Sequence, residues 1–469
     1  MVTLKKLLKV FVRCIGSIAA IAMIAYVCAL GVNWRDRAPS DAAVRLMSVY
    51  RDRPPTADFS NGYVFAMGFS ADRNGDPERA GVMRVGWLRR LSEDPRTPLS
   101  DDPLGAPYDF RAPRTQQAQR LADACRTAGS ECAVALEGAD PLVADWLVSE
   151  QWLFDRYRAL LSHAAWREPI PFDVRTPLPP YVMIFDGQKL LLSRAWLLAG
   201  HKDAAAVREL LSEDLRFWRQ VLQSSDVLIT KMIAVAALNR HFGLGTLVLR
   251  RLPAQLVADA MPPDWTQEIT RSERSMMLCL AGEWIFIDRY IKQVGHRGPA
   301  SANPLGDDAP GAVSSWLWYL YRPLYQAQDS SNSFAERLLQ DSRELDAPYD
   351  RYAEALQRTK AISSRKFRPV DALDWVYNAT GHAILWDDFL DYGPYGARVA
   401  DLEGTRRGAV LTAELRAHGF TAAQVPAQLA ASGVVVPYTG RPFSWDPQEG
   451  AIVFTGLEPG ERGRHVFKY

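Results

Sequence analysis

Apolar residues recur along most of this chain with the spacing of amphipathic helices. The clearest case follows Asp203, where apolar side chains occupy the i, i+3, i+4 and i+7 positions of one helix face: Val207, Leu210, Leu211, Leu215, Trp218, Val221 and Leu222. A preceding apolar helix, residues 188–199, ends at Gly200-His201-Lys202. Residues 188–222 therefore predict a helical hairpin of the tetratricopeptide type.

Start signals and the same periodicity predict further helices along the chain. Asp-Pro pairs precede two of them, and Asp264 is the predicted N-cap of another. The predicted ranges are 76–91, 141–161, 226–250, 264–294 and 397–418, followed by a short helix that opens with a capping box at 421–424.

The last residues change to a strand pattern. Residues 442–445 and 451–455 are extended, and the turn residues 446–450 separate them, which predicts a β-hairpin. The predicted fold is mainly α, an irregular array of helical hairpins behind an N-terminal transmembrane helix, with a small C-terminal β-hairpin module. The corresponding segments are 1–34 (cytoplasmic start and anchor), 35–60 (linker), 61–425 (helical body) and 426–469 (tail).

Residues 14–33 form an uncharged run of 20 positions. As a helix this run is about 30 Å long, which matches the hydrocarbon core of a bilayer. The basic residues before it are Lys5, Lys6, Lys9 and Arg13, whereas Arg35 and Arg37 after it are offset by Asp36. This asymmetry predicts a single-pass membrane protein whose N-terminus stays in the cytoplasm and whose remaining chain is exported.

The same run has two competing interpretations. Val27-Cys28-Ala29 loosely fits a signal-peptide cleavage site, but the apolar run is longer than a usual signal-peptide core. A lipoprotein would need a small residue where bulky Tyr26 stands. We therefore favour an uncleaved anchor.

Composition and charge exclude some partners. Apolar residues make up 48% and charged residues 23%, which is ordinary for a globular protein. The net charge of +1 provides no basic field for a nucleic acid. The expected partners are the inner membrane, through residues 14–33, and another envelope protein.

Two of the five cysteines, Cys125 and Cys132, stand in a C-x6-C pattern. No nearby His or further Cys completes a zinc site. In an oxidising compartment this spacing predicts a local disulfide. Cys14 and Cys28 fall inside the apolar run, and Cys279 is predicted to be buried and inert.

The sequence offers little catalytic chemistry. It lacks G-x-S-x-G, H-E-x-x-H, G-x-G-x-x-G and P-loop motifs, and its seven His are scattered, so no metal or cofactor is predicted. Glu283 and Glu150 stand beside apolar helix stripes, where desolvation could make either one a general acid. The alternative, which we favour, is a structural carboxylate paired with an Arg.

An aromatic run includes Trp316, Trp318, Tyr319 and Tyr321. One interpretation packs one face of the run on the helical core. The other places these side chains at a membrane interface or on a partner, because Trp and Tyr combine an apolar ring with a polar group and are enriched at interfaces. Both interpretations remain open.

The segment Pro437-Tyr438-Thr439-Gly440-Arg441-Pro442-Phe443 resembles a tail module of uncharacterised bacterial envelope proteins, D-P-[FY]-[ST]-G-[KR]-P-[FL] before two short strands. Val436 stands where that pattern has Asp. The whole chain is similar to uncharacterised single-pass, membrane-anchored helical proteins of Gram-negative bacteria. The resemblance implies a location, the bacterial inner membrane with a cytoplasmic N-terminus and a periplasmic body, and no activity. The expected function is a periplasmic scaffold or interaction protein; the alternative is an anchored enzyme acting on a cell-envelope polymer, with Glu283 or Glu150 as general acid.

Overall fold

The computed structural model describes residues 2–93, 98–105, 116–125, 130–170, 176–297, 318–364, 373, 376–385 and 390–469. These residues form 19 α-helices and one small sheet. The first ten helices are α1 Val2–Val32, α2 Asp41–Arg51, α3 Gly62–Met67, α4 Pro77–Glu93, α5 Gln116–Ala124, α6 Ser130–Leu136, α7 Asp140–Ser149, α8 Gln151–Leu161, α9 Tyr181–Gly200 and α10 Ala204–Ser224. The remaining nine are α11 Leu228–Arg251, α12 Ala254–Ala260, α13 Arg271–Arg274, α14 Met277–Arg297, α15 Ala327–Glu344, α16 Tyr352–Ser363, α17 Ala379–Leu385, α18 Gly393–Ala417 and α19 Val425–Ala431.

The predicted mainly α fold is confirmed, and the hairpin α9–α10 lies at its centre. The Asp203 carboxylate caps α10 by accepting a hydrogen bond from the Ala206 N–H at 3.1 Å. The apolar face of α10 is buried against α9 and α11, and α11 in turn packs on α18. A continuous hydrophobic core runs from these helices to both ends of the body.

Two predicted helices are wrong in their bounds. The range 141–161 is two helices, α7 and α8, which meet at Glu150. The range 264–294 begins instead with a 3-10 turn, Pro263–Trp265, followed by α13 and α14. Asp264 is therefore no helix cap. Trp265 is buried, and its indole N–H donates to His241 Nε2 at 2.8 Å, which draws the chain inward.

The C-terminal sheet has three antiparallel strands, β1 Ser444–Asp446, β2 Ala451–Thr455 and β3 Arg464–Lys468. The predicted hairpin corresponds to β1 and β2, which pair with Trp445 opposite Ile452. The sequence analysis missed β3, because its Arg-His-Val-Phe-Lys run has no clear apolar alternation.

The sheet packs on a glycine face of α18. Phe454 of β2 lies over Gly404, and Phe467 of β3 lies over Gly408, one helical turn later. A Cβ atom at Gly404 would meet the Phe454 ring at 2.1 Å, and one at Gly408 would meet the Phe467 ring at 2.4 Å. Only glycine therefore permits this approach of sheet and helix.

Among the residues that the structure describes, two helices are long and apolar enough to cross a membrane. The segment Lys9–Val32 of α1 has none of its apolar window buried, whereas α11 has 67% of its window buried inside the body. The second is thus a core helix by its packing. The first is compatible with a single-pass anchor, and a signal sequence has the same length and composition.

Candidate functional site

Glu283 lies on α14, and its carboxylate faces the start of α11. Its Oε1 atom accepts a hydrogen bond from the Leu228 N–H at 3.3 Å. Burial raises the pKa of Glu283 above its ordinary value. The contact is to a helix N-terminus rather than to the Arg expected of the structural alternative.

Glu150 is fully buried at the junction of α7 and α8. Its backbone N–H donates to the Trp146 carbonyl at the end of α7. Its carbonyl accepts from the Leu153 and Phe154 N–H groups in the first turn of α8. The residue thus occupies the break between the two helices, a position that the uninterrupted helix 141–161 did not anticipate.

Cys125 and Cys132 lie at disulfide distance, with their Cα atoms 4.4 Å apart. Cys125 directly follows α5, and Cys132 lies in α6. Cys279 is buried, and burial raises the pKa of its thiol to about 12, as suits an inert core cysteine.

The aromatic run lies partly outside the described residues, because Trp316 is not among them. Trp318 is half-buried, with its ring centroid 6.1 Å from that of Tyr325. Tyr319 and Tyr321 are exposed. The described part of the run is therefore divided between the core and the surface.

A largely buried cluster of hydrogen-bonded polar side chains joins the end of α1 to the body. We name it the exit clasp and define it by Asn33, Asp36, Gln326, Asp329, Asn332 and Asn378. Asn33 Nδ2 donates to the Val376 carbonyl at 2.9 Å, and Asn33 Oδ1 accepts from the Asn378 N–H at 2.8 Å. Gln326 Nε2 donates to the Asn33 carbonyl at 2.7 Å.

Asp36 caps α15 from outside that helix. Its two carboxylate oxygens accept from the N–H groups of Gln328 and Asp329 at 2.7 and 3.0 Å. An anionic cap at a helix N-terminus satisfies free N–H groups and matches the helix dipole. Arg37 then pairs with Asp329 at 3.0 Å.

Asn378 connects the parts of the clasp. Its φ of 53° is left-handed, a conformation that Asn tolerates better than most residues. Its Oδ1 accepts from the Gln326 N–H at 2.8 Å, and its Nδ2 donates to Asp329 and Ser330 at 2.9 Å. Asn332 adds a pair of bonds to Ser40 N–H and the Ala38 carbonyl. The chain leaving α1 is thus fixed to α15 over several residues.

A second polar cluster is buried beside the start of α11. Glu168 and Asp226 are both buried, and Asp226 forms an ion pair with Arg53. Burial and the nearby Asp226 charge raise the pKa of Glu168 to about 8. Burial also raises the pKa of Asp226, and the Arg53 guanidinium opposes that shift, so Glu168 takes up the proton first.

An open groove of about 590 Å³ lies between α8 and α10. Charged side chains of both signs line it, among them Asp155, Arg158, Glu213 and Arg216. Arg158 Nε donates to Glu213 Oε2 across the groove at 2.9 Å. Neither Glu283 nor Glu150 lines this groove, so it does not bring together the two proposed acids.

Within the described ranges, no group of three or more His, Cys, Asp and Glu side chains is arranged to hold a metal ion. Both ring nitrogens of the buried His241, for example, are hydrogen-bonded to protein groups. Its Nε2 accepts from Trp265, so its Nδ1–H donates to Asp214 at 2.8 Å.

The sequence analysis missed the exit clasp and the Glu168–Asp226 pair. Asp36 was read only as a charge that offsets two arginines, and its partners lie nearly three hundred residues away. Glu168 is a lone acid between Arg167 and Pro169, with no local pattern. Asn378 precedes a short helix, which signals a helix start and nothing about Asn33.

Comparison with protein-family models, with curated proteins and with solved structures finds no match to this chain. The class of protein is therefore described from the fold and the clasp alone. It is a mainly helical chain whose N-terminal apolar helix, compatible with a single-pass anchor, is hydrogen-bonded to the body at its C-terminal end.

Proposed function

We propose that this chain is a membrane-anchored interaction protein of the bacterial cell envelope. Helix α1 is retained as the anchor, the N-terminus is cytoplasmic, and the body lies in the periplasm and binds a protein partner. The exit clasp is the observation that carries this proposal. A flexible tether would leave the body free to tumble, whereas the clasp holds it in one orientation to α1.

Retention of α1 is supported by two contacts of the segment that cleavage would remove. Cleavage after Ala29 would remove Tyr26, whose hydroxyl donates to the Leu320 carbonyl at 2.9 Å. It would also remove the Ala29 carbonyl, which accepts from Asn33 Nδ2 at 2.9 Å. The cationic excess before the apolar run supports the orientation.

The groove between α8 and α10 is the surface that we assign to the partner. It is open, polar and lined by both signs of charge, which suits a protein segment that carries complementary charges. An enzyme would instead need convergent acids in a cleft, and the two acids proposed from the sequence lie elsewhere.

Reporter fusions test the location. Alkaline phosphatase fused after Tyr469 should be active, and a reporter that works only in the cytoplasm should be silent there. The reverse pattern would disprove the orientation. Release of the body into the soluble periplasmic fraction would disprove retention of the anchor.

Photo-crosslinking in cells tests the partner surface. A photoreactive phenylalanine analogue replaces Arg216, which is exposed and lines the groove, and in a matched variant it replaces Val148, which is exposed on α7. We expect one defined adduct from position 216 and none from position 148. Absence of the adduct at 216, or the same adduct at both positions, would contradict a partner site in the groove.

A further inference from the structure

The hydrogen bond from Tyr26 to Leu320 brings a second segment of the chain alongside α1. Tyr26 lies seven residues before Asn33, where the exit clasp begins. At 1.5 Å per helical residue, Tyr26 is therefore about 10 Å along the axis from the clasp toward the middle of the apolar run. Side chains on a helix also tilt toward its N-terminus, which carries the Tyr26 hydroxyl slightly further in that direction.

The segment that meets Tyr26 exposes apolar and aromatic side chains. We name residues 318–321 the aromatic turn. Tyr319 is 71%, Leu320 40% and Tyr321 51% exposed, although all three follow the half-buried Trp318. Adjacent exposed side chains of this size mark an interaction surface.

A second exposed apolar residue lies near the level of the clasp. Leu373 is 61% exposed, and its carbonyl accepts from the N–H groups of Val376 and Tyr377. Val376 in turn bonds to Asn33, and the Tyr377 hydroxyl donates to the Arg35 carbonyl. Exposed apolar surface thus continues from α1 onto the aromatic turn and onto Leu373.

We propose that the aromatic turn inserts into the periplasmic leaflet of the membrane beside α1, with lipid as its occupant. The inference rests on the proposed retention of α1 as an anchor. Because the clasp fixes the body to the end of α1, a span that crosses the bilayer must carry residues 318–321 into the outer part of the hydrocarbon. The exposed Arg322, directly after the turn, can then extend to the phosphate level.

Continuity with α1 favours lipid over a protein partner. The apolar side chains of α1 are exposed, among them Ile15, Ile18, Ile21 and Ile24. The aromatic turn contacts the same helix through the hydrogen bond from Tyr26. Tyr is also enriched where a membrane meets water, since its ring is apolar and its hydroxyl is polar. The insertion would give the body a second contact with the bilayer beside α1.

Spin labels on the full chain in liposomes test the proposal. The background carries Cys14→Ala and Cys28→Ala, and single labels are attached to Tyr319→Cys, Tyr321→Cys, Ile24→Cys and Val148→Cys. Collision with oxygen, which concentrates in lipid, is compared with collision with a water-soluble nickel chelate. We expect an oxygen-to-nickel ratio at 319 and 321 that is several-fold above that at 148 and close to that at 24.

Each other outcome has a distinct meaning. A lipid-like ratio at 24 with a water-like ratio at 319 and 321 would overturn the insertion and leave the anchor intact. A water-like ratio at 24 would overturn the anchor itself. Low collision with both reagents at 319 would show that protein, such as a second copy of this chain, covers the turn, and would also overturn the insertion.

Discussion

Glu168 and Asp226 each accept a hydrogen bond on the side chain from the backbone N–H of the other, and both bonds are 2.9 Å long. Glu168 also accepts from the Val227 N–H, just before α11, and from the Thr230 hydroxyl in its first turn. This reciprocal arrangement fixes the loop after α8 to the junction of α10 and α11. The two carboxylates are thus structural supports, and burial together with the Asp226 charge raises the pKa of Glu168 to about 8.

The pKa of Glu168 predicts how stability changes with pH. Because the folded pKa of about 8 is above the unfolded value of 4.5, the folded state binds an extra proton between these pH values. The stability that this group contributes is therefore fully present below pH 4.5 and is lost as the pH rises from 4.5 to 8. The slope from one group is at most about 1.4 kcal/mol per pH unit.

Glu168→Gln should flatten this dependence in thermal unfolding of the detergent-solubilised protein. The Gln carbonyl can still accept from Asp226 and Val227, and its amide can donate to the Thr230 hydroxyl, which then donates to Tyr181. The control is Glu336→Gln, an exposed change on α15, which should leave the slope unaltered. An identical pH slope in Glu168→Gln and the wild type would contradict the assignment.

The glycine face of α18 gives a prediction about packing. Gly404→Ala places a methyl group against the Phe454 ring, and overpacking of this kind costs about 1–3 kcal/mol. Gly86→Ala on α4 is the matched control, because nothing lies within 4 Å of its new Cβ, and it should stabilise by up to about 1 kcal/mol. The free energies of unfolding in denaturant check both; equal effects would disprove the close approach.

The fold class was predictable because it depends on local pattern. The apolar stripe from Val207 to Leu222 predicts α10 from the local sequence alone, and Asp203 marks its N-terminal end. The break at Glu150 and the inward turn at Trp265 were not predictable, since each depends on distant helices. The packing of Phe454 on Gly404 likewise brings together residues whose separate patterns show no connection.

The candidate sites were harder to predict than the fold. Glu283 could be singled out as a candidate acid because its place beside an apolar stripe can be read locally, and the structure places it half-buried on α14. Its acceptance of the Leu228 N–H could not be predicted, since that depends on how α14 crosses α11. At the clasp, Asp36 accepts from the Gln328 N–H, 292 residues later in the sequence, a contact that no local spacing predicts.

The cap of α15 by Asp36 can be tested by substitution. Asp36→Ala removes both acceptors and should lower the unfolding free energy by about 1 kcal/mol, the usual cost of a lost N-cap. Asp36→Asn keeps an acceptor and should cost less. Arg35→Ala is the neighbouring control and should be neutral, because Arg35 contributes its carbonyl to Tyr377 rather than its side chain. A cost in Arg35→Ala equal to that in Asp36→Ala would rule out a specific cap.

The cysteine pair, whose Cα atoms lie 4.4 Å apart, is expected to be oxidised in an oxidising compartment. Mass spectrometry of unreduced, alkylated protein should give one peptide pair linked through Cys125 and Cys132, with Cys279 free. Closing this short loop restricts the unfolded chain by about 2.5 kcal/mol on the entropy model, so reductant should lower the unfolding temperature. Alkylation of both Cys125 and Cys132 without reductant would exclude the bond.

Glu283 separates the structural and enzymatic interpretations most directly. Burial raises its pKa, so its charged form destabilises the fold at high pH, while its Oε1 atom supports the start of α11 through Leu228. Glu283→Gln keeps that acceptor and loses the buried charge, so its stability at pH 8 should equal or exceed that of the wild type. Glu283→Ala loses the acceptor and should be less stable by about 1 kcal/mol.

Thermal unfolding at pH 5 and pH 8 checks both changes at Glu283, with Glu336→Gln as the exposed control on α15. Cells that carry either variant as their only copy should show defects in proportion to the amount of protein, because a structural carboxylate acts only through folding. A Glu283→Gln protein that is folded and abundant but produces the full loss-of-function phenotype would instead require a chemical role for this carboxyl group. That result would favour the anchored enzyme over the interaction protein.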